Sequence, residues 1–74
     1  MPLINVKLIE GVFTPEQKTQ IAERLTDAMV SVEGENMRGA TWCVIDEVKS
    51  GDGAIGGQGL TTDAVHAQAA GQPA

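Results

Sequence analysis

Leu3-Ile4-Asn5-Val6-Lys7-Leu8-Ile9-Glu10-Gly11-Val12-Phe13-Thr14-Pro15-Glu16-Gln17 decides the fold, because two periodicities meet inside it. Ile4, Val6 and Leu8 alternate with Leu3, Asn5, Lys7 and Ile9, the period-two pattern of a strand whose second face is mixed. Gly11 ends that pattern. Thr14 then offers a hydroxyl N-cap, Pro15 suits the first helical position, and Gln17 completes a capping box, so a helix starts here. Its apolar stripe, Ile21, Leu25, Ala28, Met29 and Val32, recurs every three or four residues and leaves Lys18, Glu23, Arg24 and Asp27 for the outer or flanking surface. Gly34 is the expected stop.

Downstream, the polar connection Glu35-Asn36-Met37-Arg38-Gly39 leads into Thr41-Trp42-Cys43-Val44-Ile45-Asp46-Glu47-Val48, where β-branched and aromatic residues favour a second strand. Strand, helix, strand makes a βαβ unit of the α/β (α+β) class. Its two strands are expected to run parallel through a right-handed crossover, with the helix on one face of the sheet. Five glycines between Gly51 and Gly59 exclude regular helix and predict turns or a short hairpin. Thr61-Thr62-Asp63 caps a brief helix through Ala64 to Ala70. The reading gives one βαβ domain over residues 2–60 and a C-terminal segment over 61–74, whose last residues, 71–74, are expected to be mobile.

Seventy-four residues make one small domain, and a chain of that size hides only about 60% of its unfolded surface. One cysteine, Cys43, excludes an internal disulfide, and no zinc-ligand spacing is present, which leaves association with other chains as the stabiliser. An apolar content of 42% is more than a lone βαβ unit can cover, so part of it is expected to face other subunits. Ten acidic against five basic residues give a net charge of −5, which disfavours nucleic acid. No run approaches the ~20 apolar residues of a membrane span, and no signal-peptide pattern occurs; a cytoplasmic protein is expected.

Pro2 is the chemically unusual residue. Methionine is readily trimmed before a small side chain, and the proline then presents a free secondary amine. An α-amino group titrates near pH 8, so modest desolvation or a nearby cation makes it a neutral base at physiological pH. The ring fixes that nitrogen at the start of a strand, as a general base requires.

The combination, in order, of Pro2, Glu10-Gly11 after the first strand, the Pro15-Glu16-Gln17-Lys18 helix entrance and the late Ile55-Gly56-Gly57 resembles 4-oxalocrotonate tautomerase and its relatives, over Pro2 to about Gly57. The resemblance implies the βαβ tautomerase fold and a hexamer built as a trimer of dimers. It implies Pro2 as the general base that moves a proton between oxygen and carbon of an enol or enolate of a small 2-oxo or 2-hydroxydienoate-type acid, with no cofactor. Relatives carry an arginine just after the Glu-Gly, another in the second strand, and an aromatic before the late glycines; the aligned positions here hold Val12, Trp42 and Gly53. Two side chains remain as substrate-binding candidates. Arg38 enters the second strand and suits a carboxylate, and Trp42 is placed to wall a pocket or to pack between subunits.

Other chemistry-bearing residues have simpler roles. Cys43 should face the helix as an inert thiol, and His66 should be a surface histidine of the tail. Asp46 and Glu47, adjacent on a strand, point to opposite faces and cannot form an acid pair. Lys7 is a solvated charge of the strand face, and the glycine-rich segment is no phosphate loop but a turn over a neighbouring site. Two other readings remain open at this level. One is hydration or dehalogenation of an unsaturated acid with Pro2 as the acid, and the other is a non-catalytic subunit of a hetero-oligomer.

Overall fold

Residues 2–71 are described in the computed structural model. Met1, whose removal is expected, and residues 72–74 of the tail expected to be mobile lie outside them. The chain order is β1 (Leu3–Ile9), α1 (Pro15–Glu33), a 3₁₀ helix (Glu35–Ala40), β2 (Trp42–Val48), β3 (Gly53–Ile55), β4 (Gln58–Leu60) and α2 (Thr62–Ala69). β1 and β2 run parallel, from Leu3 opposite Trp42 to Ile9 opposite Val48, and β3–β4 form an antiparallel hairpin. The glycine-rich stretch therefore takes the hairpin form of the two expected.

The α1 entrance forms as its chemistry dictates. Gln17 N–H donates to Thr14 Oγ1 at 3.2 Å while Thr14 N–H donates to Gln17 Oε1 at 2.9 Å, so two N–H groups that would lack partners are both satisfied. Gly34 ends the helix with φ +103°, and its N–H donates to the Val30 carbonyl at 2.8 Å. The connection expected after it is wound into the 3₁₀ helix, held by Met37 N–H donating to the Gly34 carbonyl at 3.1 Å.

The side of α1 that meets the sheet is offset from the expected stripe. Val30 is the buried residue, at 5% exposure, and Ile21, Ala22, Leu25, Thr26, Met29 and Glu33 are half-buried beside it. Val32, expected on the inner face, is 86% exposed, and Ala28 is exposed as well. The reason is geometric. Residues 28 and 32 stand one turn apart on the rim of the stripe, and spacing alone cannot separate the rim from the centre of an apolar arc wider than 100°. Lys18, expected outside, is half-buried and reaches Glu47 at 3.0 Å.

The sheet has two unlike faces. Ile4, Val6 and Leu8 of β1 lie beside Cys43, Ile45 and Glu47 of β2 on the α1 side. Leu3, Asn5, Lys7 and Ile9 lie beside Trp42, Val44, Asp46 and Val48 on the open side. Asp46 there accepts from Asn5 Nδ2 at 2.9 Å and from Lys7 Nζ at 3.4 Å. The Asn5 amide first, and then Lys7, hold its carboxyl below the usual aspartate range. Asp46 and Glu47 thus take partners on opposite faces, as expected of neighbours on a strand.

At the far end of the sheet the chain is knotted together. Ser50 N–H donates to Glu10 Oε1 at 3.1 Å, Thr62 Oγ1 donates to the Glu10 carbonyl at 2.5 Å, and Thr62 N–H donates to Ser50 Oγ at 2.9 Å. Gly11 has φ +77°, and a Cβ there would stand 3.2 Å from Thr62 Cγ2. His66 is exposed as expected, yet its Nε2 lies 3.0 Å from the Gly11 carbonyl. A carbonyl only accepts, so the hydrogen sits on that nitrogen.

Candidate active site

Pro2 precedes β1 and is half-buried. Its carbonyl accepts from Trp42 N–H at 3.2 Å, which pins the residue to the first rung of the parallel ladder. Leu3 pairs with Trp42, so Pro2 is the ladder neighbour of Thr41. Alternation along the strand puts Pro2 on the same side as Ile4, Val6 and Leu8, the side covered by α1. A secondary amine held in this way has one fixed direction and a partly desolvated setting, the two properties that favour general-base work.

Arg38 belongs to the 3₁₀ helix. Its Nε donates to Glu35 Oε1 at 2.7 Å, Nη2 to Glu35 Oε2 at 3.3 Å, and Nη1 to Asp27 Oδ1 at 2.8 Å. The Glu35 hydrogen bonds and then those of Asp27 raise the guanidinium above its ordinary value, and the Arg38 bond lowers the Glu35 carboxyl. The arginine is a tie between α1 and the 3₁₀ helix, with two carboxylates already on it. A groove of about 450 Å³ beside it is lined by Ala22, Glu23, Thr26, Asp27, Arg38 and Cys43, which sets the Cys43 thiol on the α1 side as expected.

Trp42 is 52% exposed and lies on the open side with Leu3, also 52% exposed. Arg38 and Trp42 are therefore on opposite sides of the sheet, and one chain does not bring both to a single ligand. Among the described residues no group of three or more His, Cys, Asp or Glu side chains is arranged to hold a metal ion.

Two polar residues stand out that the sequence reading passed over. Glu33 closes the last turn of α1, half-buried, and its Oε2 is hydrogen-bonded to Thr41 Oγ1. A carboxylate at a helix C-terminus opposes the helix dipole, and that breach of a local rule was visible in the sequence. The other is Glu10. The Glu10-Gly11 pair is visible in the sequence, but that the Glu10 carboxylate reaches the chain after β2 depends on the turn over residues 49–52, which no periodicity announces.

The family model described as "Tautomerase enzyme" matches residues 2–63, most of the chain, and its first matched residue is Pro2. A probable tautomerase of Helicobacter pylori (strain J99) is 40% identical over 62 residues, covering 81% of this chain and 90% of that protein. Among solved structures, DmpI from Helicobacter pylori superposes with a TM-score of 0.70 at 39% identity, over 80% of this chain and 95% of its own. Apo unfused 4-OT gives 0.72 at 36% identity, over 86% of this chain and 98% of its own.

Proposed function

Since the chain belongs to the tautomerase family, we propose that it is an isomerase in which the amine of Pro2, freed by loss of Met1, is the general base for keto–enol tautomerisation of a small 2-oxo or 2-hydroxydienoate-type acid. The observation that carries this reading is the setting of Pro2, half-buried at the head of β1 and pinned through its carbonyl to Trp42. The neutral amine takes a proton from one atom of the enol or enolate system and returns it to another, so the secondary ammonium is the transient species and no group is lost. Cofactor-free work in the cytoplasm is part of the same proposal.

Charge develops on the substrate oxygen during transfer and has to meet a donor where water is excluded. Trp42 is assigned the wall of the substrate site, with its indole N–H as a donor. Arg38 is assigned the substrate carboxylate, which binds it by exchange with Asp27 or Glu35. Because these two side chains lie on opposite sides of one sheet, a site that uses both takes them from different subunits. The hexameric assembly expected from the family resemblance provides such neighbours.

Conversion of 2-hydroxymuconate or phenylenolpyruvate, followed by its ultraviolet absorbance, tests the proposal. Pro2→Ala should lower kcat/KM by at least about 10²-fold, the usual scale of a lost general base. Full turnover by Pro2→Ala, or a mature protein that retains Met1 by intact mass, removes the base from the mechanism.

A further inference from the structure

The geometry points to Glu33, held by Thr41, as the acidic partner of the Pro2 amine, a positioning residue that carries the negative charge while the amine carries the positive one. The inference rests on Pro2 being the base. It starts from the ladder, where Thr41 is the rung neighbour of Pro2 and parallel partners put their side chains on one face, here the face covered by α1. Thr41 Oγ1 bonds to Glu33 Oε2 and also lies 2.8 Å from the Met37 carbonyl. The Thr41 hydroxyl thereby ties the C-terminal end of α1 to the residue just before β2.

The other charges at this end are already matched. Arg38 of the 3₁₀ helix is bound by Glu35 of the same helix and by Asp27 of α1, while Lys7 and Asp46 are paired with each other on the open face. Among the described residues Glu33 is in no ion pair within 4.0 Å, and it sits where the α1 dipole supplies no help. The cation it is placed to meet is the one formed when Pro2 accepts a proton. During turnover that proton comes from the substrate and goes back to it, so the carboxylate balances charge and is not consumed.

The test is a ¹⁵N titration of the Pro2 nitrogen in the intact assembly, paired with the pH profile of kcat/KM. Removing a nearby negative charge makes the cation harder to form. Glu33→Gln, which keeps shape and an acceptor for Thr41, should lower the Pro2 pKa by roughly half a unit or more and shift the acid limb of the profile to lower pH. Thr41→Val should shift both in the same direction by less, and Glu33→Asp should restore most of the effect. A Pro2 titration unmoved in Glu33→Gln and Thr41→Val proteins that still turn over overturns the role of Glu33 and leaves the base assignment standing. A wild-type Pro2 nitrogen that never titrates, or full turnover by Pro2→Ala, overturns both.

Discussion

At the scale of single residues, the chain shows how much depends on which face a side chain occupies. Asp46 and Glu47 are one position apart, yet one completes a polar cluster with Asn5 and Lys7 and the other binds Lys18. Alternation alone made their separation legible. The partners were not, because they depend on which rung of β1 meets which rung of β2. The Asp46 carboxyl is lowered in the fold, so its contribution is present above the unfolded value near 3.8 and is lost as pH falls through the folded value. Asp46→Asn should therefore melt below the wild type at pH 7, and the difference between the two thermal midpoints should shrink toward zero as the pH falls through the lowered folded value. A difference independent of pH would assign the effect to packing.

At the scale of elements, boundaries announced by side-chain chemistry were legible and those set by tertiary contact were not. Thr14, Pro15 and Gln17 marked the helix start, and Thr61 the cap of α2, where its hydroxyl accepts from Ala64 N–H at 3.1 Å. Val32 falls outside the buried part of the stripe because periodicity gives an arc and not its centre. The knot at Glu10, Gly11, Ser50 and Thr62 joins three segments by contacts that no local pattern encodes. It makes Gly11 demanding in two ways, through its left-handed backbone and through the methyl of Thr62. Gly11→Ala should cost about 1–2 kcal/mol in denaturant unfolding. Hydrogen exchange should rise in α2 and at Ser50, and no change there would make the knot incidental. Of the candidate site, the place of Pro2 at the head of β1 was legible, whereas the commitment of Arg38 to Asp27 and Glu35 was not, since those carboxylates come from two different elements.

At the scale of the whole molecule, the dimensions point outward. A monomeric protein of 7.7 kDa exposes about 4,300 Å², and this chain exposes 5230 Å². Its radius of gyration is 14.9 Å, against about 11 Å for a compact chain of this length. The excess is apolar in part, with Val32 at 86%, Ile55 at 70%, and Leu3 and Trp42 both half in solvent. Length and composition raise the expectation of partners but do not point to the surfaces that are exposed, because exposure is set by the register of the sheet and the pitch of α1. Native mass spectrometry should give a multiple of the chain mass, six for the proposed hexamer. Val32→Asp should shift it toward smaller species, and a wild-type monomer at micromolar concentration would refute the assembly. The parallel ladder also orders events in time. Asn5 and Asp46 meet across 41 positions of chain, whereas α1 closes on local contacts within microseconds. Helix formation is thus expected to precede ladder closure. The surroundings of Pro2 need that ladder, so a refolding sample should recover its circular dichroism before it recovers any turnover.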